Sequence, residues 1–228
     1  MTTIKNTALL LALAIPCNAA ISFTLPGNSE SAAWTGLTSA NYPFSAGFPS
    51  FPTSTNPWPS ALTPDSGSIL GGSFNKVSGG GYFASSSIYD AGTPGTFRIT
   101  DLASIVNLDT VVFQADLGSV LGSAPLLSYN GGTQNLAADF STTSTGSFVT
   151  GFGGPPSPTT NHAWQWDLSG VPAPVTEFAI QWTTAPHGTI YRLDLAAGDS
   201  FSQVIPEPSA ALLGLATLTL ATFRRRRA

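Results

Sequence analysis

N-H-A-W-Q-W-D-L-S-G-V-P-A-P-V-T-E-F-A-I-Q-W-T-T-A-P-H-G-T-I-Y-R-L-D-L, residues 161–195, carries the clearest structural signature in the chain. His162, Trp164, Trp166 and Leu168 alternate with Ala163, Gln165 and Asp167. Phe178, Ile180 and Trp182 alternate with Glu177, Ala179, Gln181 and Thr183, and Tyr191, Leu193 and Leu195 with Ile190, Arg192 and Asp194. Successive side chains of a strand point to opposite faces, so each segment reads as a strand with one apolar face. Three such consecutive antiparallel strands predict one sheet, which a second sheet must cover.

The same period runs upstream. In Leu108–Leu117, Val111, Phe113, Ala115 and Leu117 share a face opposite Thr110, Val112, Gln114 and Asp116, so the first set is expected inside. Further strands are expected at Ile69–Val77, Gly81–Tyr89, Thr96–Thr100, Pro125–Tyr129 and Ser147–Phe152. Asn130-Gly131-Gly132 and Gly79-Gly80-Gly81 supply the positive φ angles of tight turns. Gly153–Pro158, with three prolines, is expected to be a loop. Helix signals are nearly absent, and no repeat of a solenoid or propeller is visible. The expectation is an all-β chain: an antiparallel two-layer β-sandwich, jelly-roll-like, over residues 67–203.

Residues 21–66 begin with an expected strand at Ile21–Leu25 and then turn irregular. Prolines interleave with Tyr42, Phe44, Phe48, Phe51 and Trp58, which excludes helix and most strand. The expected role of these rings is to seal an edge of the core, with an aromatic ligand loop as the competing reading.

Both ends of the chain differ from its middle. Lys5 precedes an apolar run, Ala8–Ile15, followed by Pro16 and the small residues Cys17, Asn18, Ala19 and Ala20. This is the pattern of a secretory signal peptide, residues 1–20, with cleavage by signal peptidase after Ala19 or Ala20. At the other end, residues 204–228, the uncharged run Ser209–Phe223 stands before Arg224, Arg225, Arg226 and Arg227. At about 1.5 Å per residue the run covers less than the roughly 30 Å hydrocarbon core, so a helix there spans only with bilayer thinning or with help from Val204 and Ile205. The arginines should stay cytoplasmic, which leaves the rest of the chain outside.

Between these ends stand three basic residues, Lys76, Arg98 and Arg192, against eleven acidic ones, a net charge of −8. Such a surface argues against nucleic acid as a partner. The single cysteine, Cys17, falls in the leader, so the exported part has no disulfide and no thiolate metal site.

Signals for chemistry are sparse. There are two histidines, His162 and His187, and no G-x-S-x-G elbow for a nucleophile. Glu30 and Glu177 are the only glutamates between the two ends, so a sugar-cleaving pair would have to come from them or from aspartates. The sequence therefore predicts no catalytic residues, no cofactor and no metal ligands. Asp194 and Asp199 are the closest acid pair, and a structural calcium at a sheet edge, held in part by backbone carbonyls, stays open. Aromatic faces stack on sugar rings, which makes Trp164 and Trp166, then Trp58, the candidate carbohydrate positions. Leu168 continues the face of Trp164 and Trp166, so core packing is the stronger reading of that pair.

With these parts in place, the tail resembles the PEP-CTERM sorting signal of exported Gram-negative bacterial proteins. The resemblance rests on Pro206-Glu207-Pro208, the apolar run and the terminal arginines behind a signal peptide, and covers about a tenth of the chain. It implies that an exosortase-type membrane enzyme recognises Pro206, Glu207 and Pro208. It also implies that residues 209–223 retain the chain transiently in the inner membrane, and that Arg224–Arg227 act as a stop-transfer cluster. The family is associated with exopolysaccharide and matrix. The implied protein is a non-enzymatic one of the cell envelope or extracellular matrix, structural or polysaccharide-binding. The alternative is an envelope-anchored jelly-roll enzyme that cleaves polysaccharide, and a tail kept as a plain membrane anchor also stays open.

Overall fold

The structure, a computed structural model, describes residues 24–43, 58–59, 61–101, 105–149, 156–172 and 174–205. The signal-peptide residues, the prolines and aromatics of 44–57, the sorting motif and the arginine cluster lie outside these residues. Among the described residues no helix is long and apolar enough to cross a membrane.

The chain forms β1 (Ser29–Trp34), β2 (Ser73–Gly79), β3 (Tyr82–Phe83), β4 (Ile88–Tyr89), β5 (Gly95–Asp101), β6 (Thr110–Leu117), β7 (Leu121–Tyr129), β8 (Leu136–Ala137), β9 (Phe140–Val149), β10 (Ser157–Asp167), β11 (Phe178–Thr184) and β12 (Thr189–Gly198). A seven-stranded sheet has the order β3-β4-β12-β6-β10-β9, with β1 also paired to β12. A five-stranded sheet has the order β2-β5-β11-β7-β8. All the pairings are antiparallel.

The expectation that the segments of residues 161–195 form one sheet is corrected here. β10 and β12 both pair with β6, whereas β11 lies between β5 and β7 in the other sheet. Alternation reports that a strand has one apolar face, and both sheets of a sandwich supply such faces to the same core. Trp182 of β11 stacks 5.9 Å from Phe74 of β2 and lies 4.9 Å from Phe113 of β6 in the facing sheet. Val111, Phe113, Ala115 and Leu117 point into this core as expected.

Three local expectations also change. Residues 21–23 of the expected first strand lie outside the described residues; Thr24 and Leu25 are irregular, and the first strand among the described residues is β1, where Ala32 and Trp34 reach the core. Pro158 lies within β10 rather than in a loop, beside a register shift between Pro158 and Thr160, a place where a strand tolerates a missing N–H. A second shift, between Ile190 and Arg192, puts Ile190 at 0 % exposure and leaves Tyr191 half-buried. One extra residue reverses the alternation that had placed Tyr191 inside.

The irregular segment does seal a core edge where it is described. Phe83 is stacked at 4.5 Å by Tyr42 and at 4.5 Å by Trp58, and the Trp34 indole donates to the Leu62 carbonyl at 3.0 Å.

The seven-stranded sheet is covered on its other face as well. Leu25, Val112, Ala163 and Ile205 form a second apolar cluster. Gln165, with no exposed surface, ties the 202–205 segment down. Its Nε2 donates to the Ser202 carbonyl at 2.7 Å, and its Oε1 accepts from the Val204 and Ile205 amides at 3.0 and 3.3 Å. Val204 and Ile205 therefore pack on the sandwich rather than extending the apolar tail.

Candidate ligand groove on the five-stranded sheet

Phe74, Phe97, Ile99, Phe178, Ile180 and Trp182 turn inward, which sends their neighbours to the outer face of the five-stranded sheet. Register then builds largely polar rows, the first across three strands and the second across four. Asn75 lies beside Arg98, and Arg98 beside Gln181; in the next row Ser73, Thr100, Ala179 and Ser128 follow one another. Arg98 and Gln181 are exposed. Arg98, Thr100, Ser73, Ser128, Gly131 and Glu177 line a groove of about 430 Å³. The face offers a guanidinium, amides and hydroxyls from rigid strands, a set suited to many hydrogen bonds with a polyhydroxylated ligand.

The β7–β8 turn places the acidic end of this groove. Asn130 and Gly131 have φ of 50° and 66°, as expected of that tripeptide. The Asn130 side chain clamps the approach to β11: its Nδ2 donates to the Pro174 carbonyl at 2.9 Å and its Oδ1 accepts from the Thr176 amide at 2.8 Å. The Asn130 amide donates to the Glu177 carbonyl at 3.0 Å. Glu177 is thereby held at the rim, with its Oε1 close above Gly131: a Cβ built on Gly131 would stand 3.3 Å from it.

Arg98 forms no ion pair among the described residues. The other two basic residues of the described chain are committed elsewhere. Arg192 binds Asp194 through two nitrogens at 2.7 and 2.6 Å, and Lys76 donates to the Gly79 carbonyl and lies 5.4 Å from the centre of the Trp58 ring.

Of the two readings of the candidate carbohydrate tryptophans, the burial of Trp164 and Trp166 agrees with core packing. Trp164 and Trp166 are 7 % and 0 % exposed. Trp164 is stacked by His162 at 5.4 Å and Phe113 at 5.5 Å, and the Trp166 indole donates to the Leu136 carbonyl at 3.0 Å. Trp58 is half-buried against Phe83. Their faces are spent on the core. Glu30 and Glu177 line separate grooves, one beside the seven-stranded sheet and one on the five-stranded sheet, so they do not flank a common bond.

His162 is half-buried and its pKa is lowered by burial. His187 sits in a turn at φ 60° and shares a 2.8 Å hydrogen bond with the Tyr89 hydroxyl. Asp194 and Asp199 bind Arg192 and Asn28 respectively. Among the described residues no group of three or more His, Cys, Asp or Glu converges as a metal site.

One buried acid escaped the sequence reading. Asp90 is 1 % exposed, with Oδ1 packed against Gly80 and Gly95, whose added Cβ atoms would stand 2.8 and 2.7 Å away. Its Oδ2 meets the Thr184 hydroxyl, which also lies 3.1 Å from the Gly95 carbonyl and accepts from the Gly95 amide at 3.0 Å. A hydroxyl has one proton for these two acceptors, so a protonated Asp90 completes the set. Burial pushes its pKa up to about 6, against the opposing pull of Thr184, Gly95 and Lys76.

No protein-family model, curated protein or solved structure matches this chain.

Proposed function

We propose that this is an exported protein of the cell envelope or extracellular matrix that binds polysaccharide without cleaving it. In this reading the outer face of the five-stranded sheet is its ligand surface. The observation that carries the reading is the row Asn75–Arg98–Gln181 beside an open groove, hydrogen-bonding groups held by register on three adjacent strands. Export rests on the sequence of both ends: the leader with Ala19 and Ala20, and the tail with Pro206, Glu207 and Pro208 before Arg224–Arg227. A signal peptidase and an exosortase-type enzyme are the processing partners in this reading, with transient inner-membrane retention before release.

A jelly roll is the proposed topology. The orders β4-β12-β6-β10 and β5-β11-β7-β8 support it, because among these eight strands every connection along the chain except β7–β8 crosses to the facing sheet, as in two interleaved Greek keys.

The test is retention on immobilised matrix polysaccharide. Replacing Asn75 and Gln181 together by alanine should abolish retention at a modest cost in Tm, because Gln181 is exposed whereas Asn75 is half-buried and gives up a 3.0 Å hydrogen bond to the Ser73 hydroxyl, a loss of about 1 kcal/mol. Full retention by this variant, still folded, would remove the sheet face from the account.

A further inference from the structure

The groove's charges are arranged unevenly along the strands. Arg98 is opposite Gln181, four residues beyond Glu177 on the neighbouring segment. At roughly 3.3 Å per residue the two positions are about 13 Å apart along the strand direction. Asp101, paired with the inward-facing Phe178, is buried and does not present its carboxylate to the groove. One end of the groove thus carries Arg98 and the other Glu177.

A guanidinium on a rigid strand, with an amide side chain on either side, receives a carboxylate through two parallel hydrogen bonds. The exported part carries a net charge of −8, so an anionic ligand is repelled in general and held only where a cation stands uncommitted. Arg98 is that place. A carboxylate on the ligand residue that reaches Glu177 would be repelled, whereas a neutral residue there can donate its hydroxyls to the Glu177 carboxylate.

We propose that the groove selects a polysaccharide whose carboxylates are isolated by neutral residues, one acidic unit in every two or three, with the acid on Arg98 and neutral hydroxyls on Glu177. This rests on the polysaccharide-binding reading above.

The experiment titrates the full exported chain by calorimetry against three probes. These are a polymer alternating glucuronic acid with N-acetylhexosamine, a polygalacturonate acidic at every residue, and neutral dextran. The alternating polymer should bind at least about tenfold more tightly than either other probe, a difference of about 1.4 kcal/mol. Arg98→Ala should reduce it to the dextran level, and Glu177→Gln should raise polygalacturonate affinity by relieving repulsion. Dextran binding as tightly as the alternating polymer, with Arg98→Ala unchanged, would overturn the charge selection and leave polysaccharide binding standing. Polygalacturonate binding best in the wild type would overturn the spacing. Failure of all three probes, with matrix polysaccharide also unretained, would remove both the selection and the binding reading.

Discussion

Asp90 couples folding to pH in a direction opposite to most carboxylates. Its pKa is 3.8 in an ordinary setting and about 6 in the fold, so the folded state binds the proton more tightly. The favourable contribution is fully present below about 3.8 and is lost as pH rises through about 6. Asp90→Asn mimics the neutral acid, whose proton the Thr184 hydroxyl needs. Chemical denaturation at several pH values should show the variant gaining on the wild type between pH 4 and pH 7, by on the order of 2–3 kcal/mol. A stability difference independent of pH would show that Asp90 is ionised in the fold throughout. Nothing in the sequence singles Asp90 out, since its burial depends on glycines from three other stretches of chain, Gly80, Gly95 and Gly188.

At the scale of elements, the 202–205 segment behaves as a strap on the seven-stranded sheet. Gln165 satisfies its buried amide entirely through that strap and Thr110. Gln165→Leu should leave the amides of Val204 and Ile205 without their acceptor and lower stability by roughly 2–4 kcal/mol. Limited proteolysis should then cut near Ser202 in the variant before the wild type. Equal cleavage rates would mean that the strap is held by Ile205 packing alone. The positions of β6, β10 and β11 were legible because apolar and polar side chains alternate through 110–117, 161–167 and 178–183. Sheet membership was not, because β10, β11 and β12 each present an apolar face to the same core from different sides. The strap escaped for another reason: Gln165 occupies an outward position by alternation, and only the fold shows that the 202–205 segment covers it.

For the whole molecule, the two ends of the described chain meet, Leu25 and Ile205 sharing one apolar cluster on the seven-stranded sheet. Under the export reading, leader and tail therefore depart from the same region, and the polar groove lies on the other sheet. Glu207→Ala should leave unprocessed protein in the membrane fraction of an exosortase-containing host. A product of unchanged size and location would set the sorting motif aside while leaving the groove untouched. The groove itself was only partly readable beforehand. Glu177, Gln181 and Arg98 are ordinary outward residues in sequence, and it is register between strands distant in the chain that aligns them. The tryptophans stand out by type, yet Trp164 and Trp166 belong to the core. Hydrogen–deuterium exchange of the exported protein, with and without matrix polysaccharide, tests the central claim most directly. Protection confined to Thr96–Thr100, Leu126–Gly132 and Glu177–Thr183 is the predicted result, whereas protection at Ser141–Thr145 and His162–Trp164, with these strands unchanged, would contradict it.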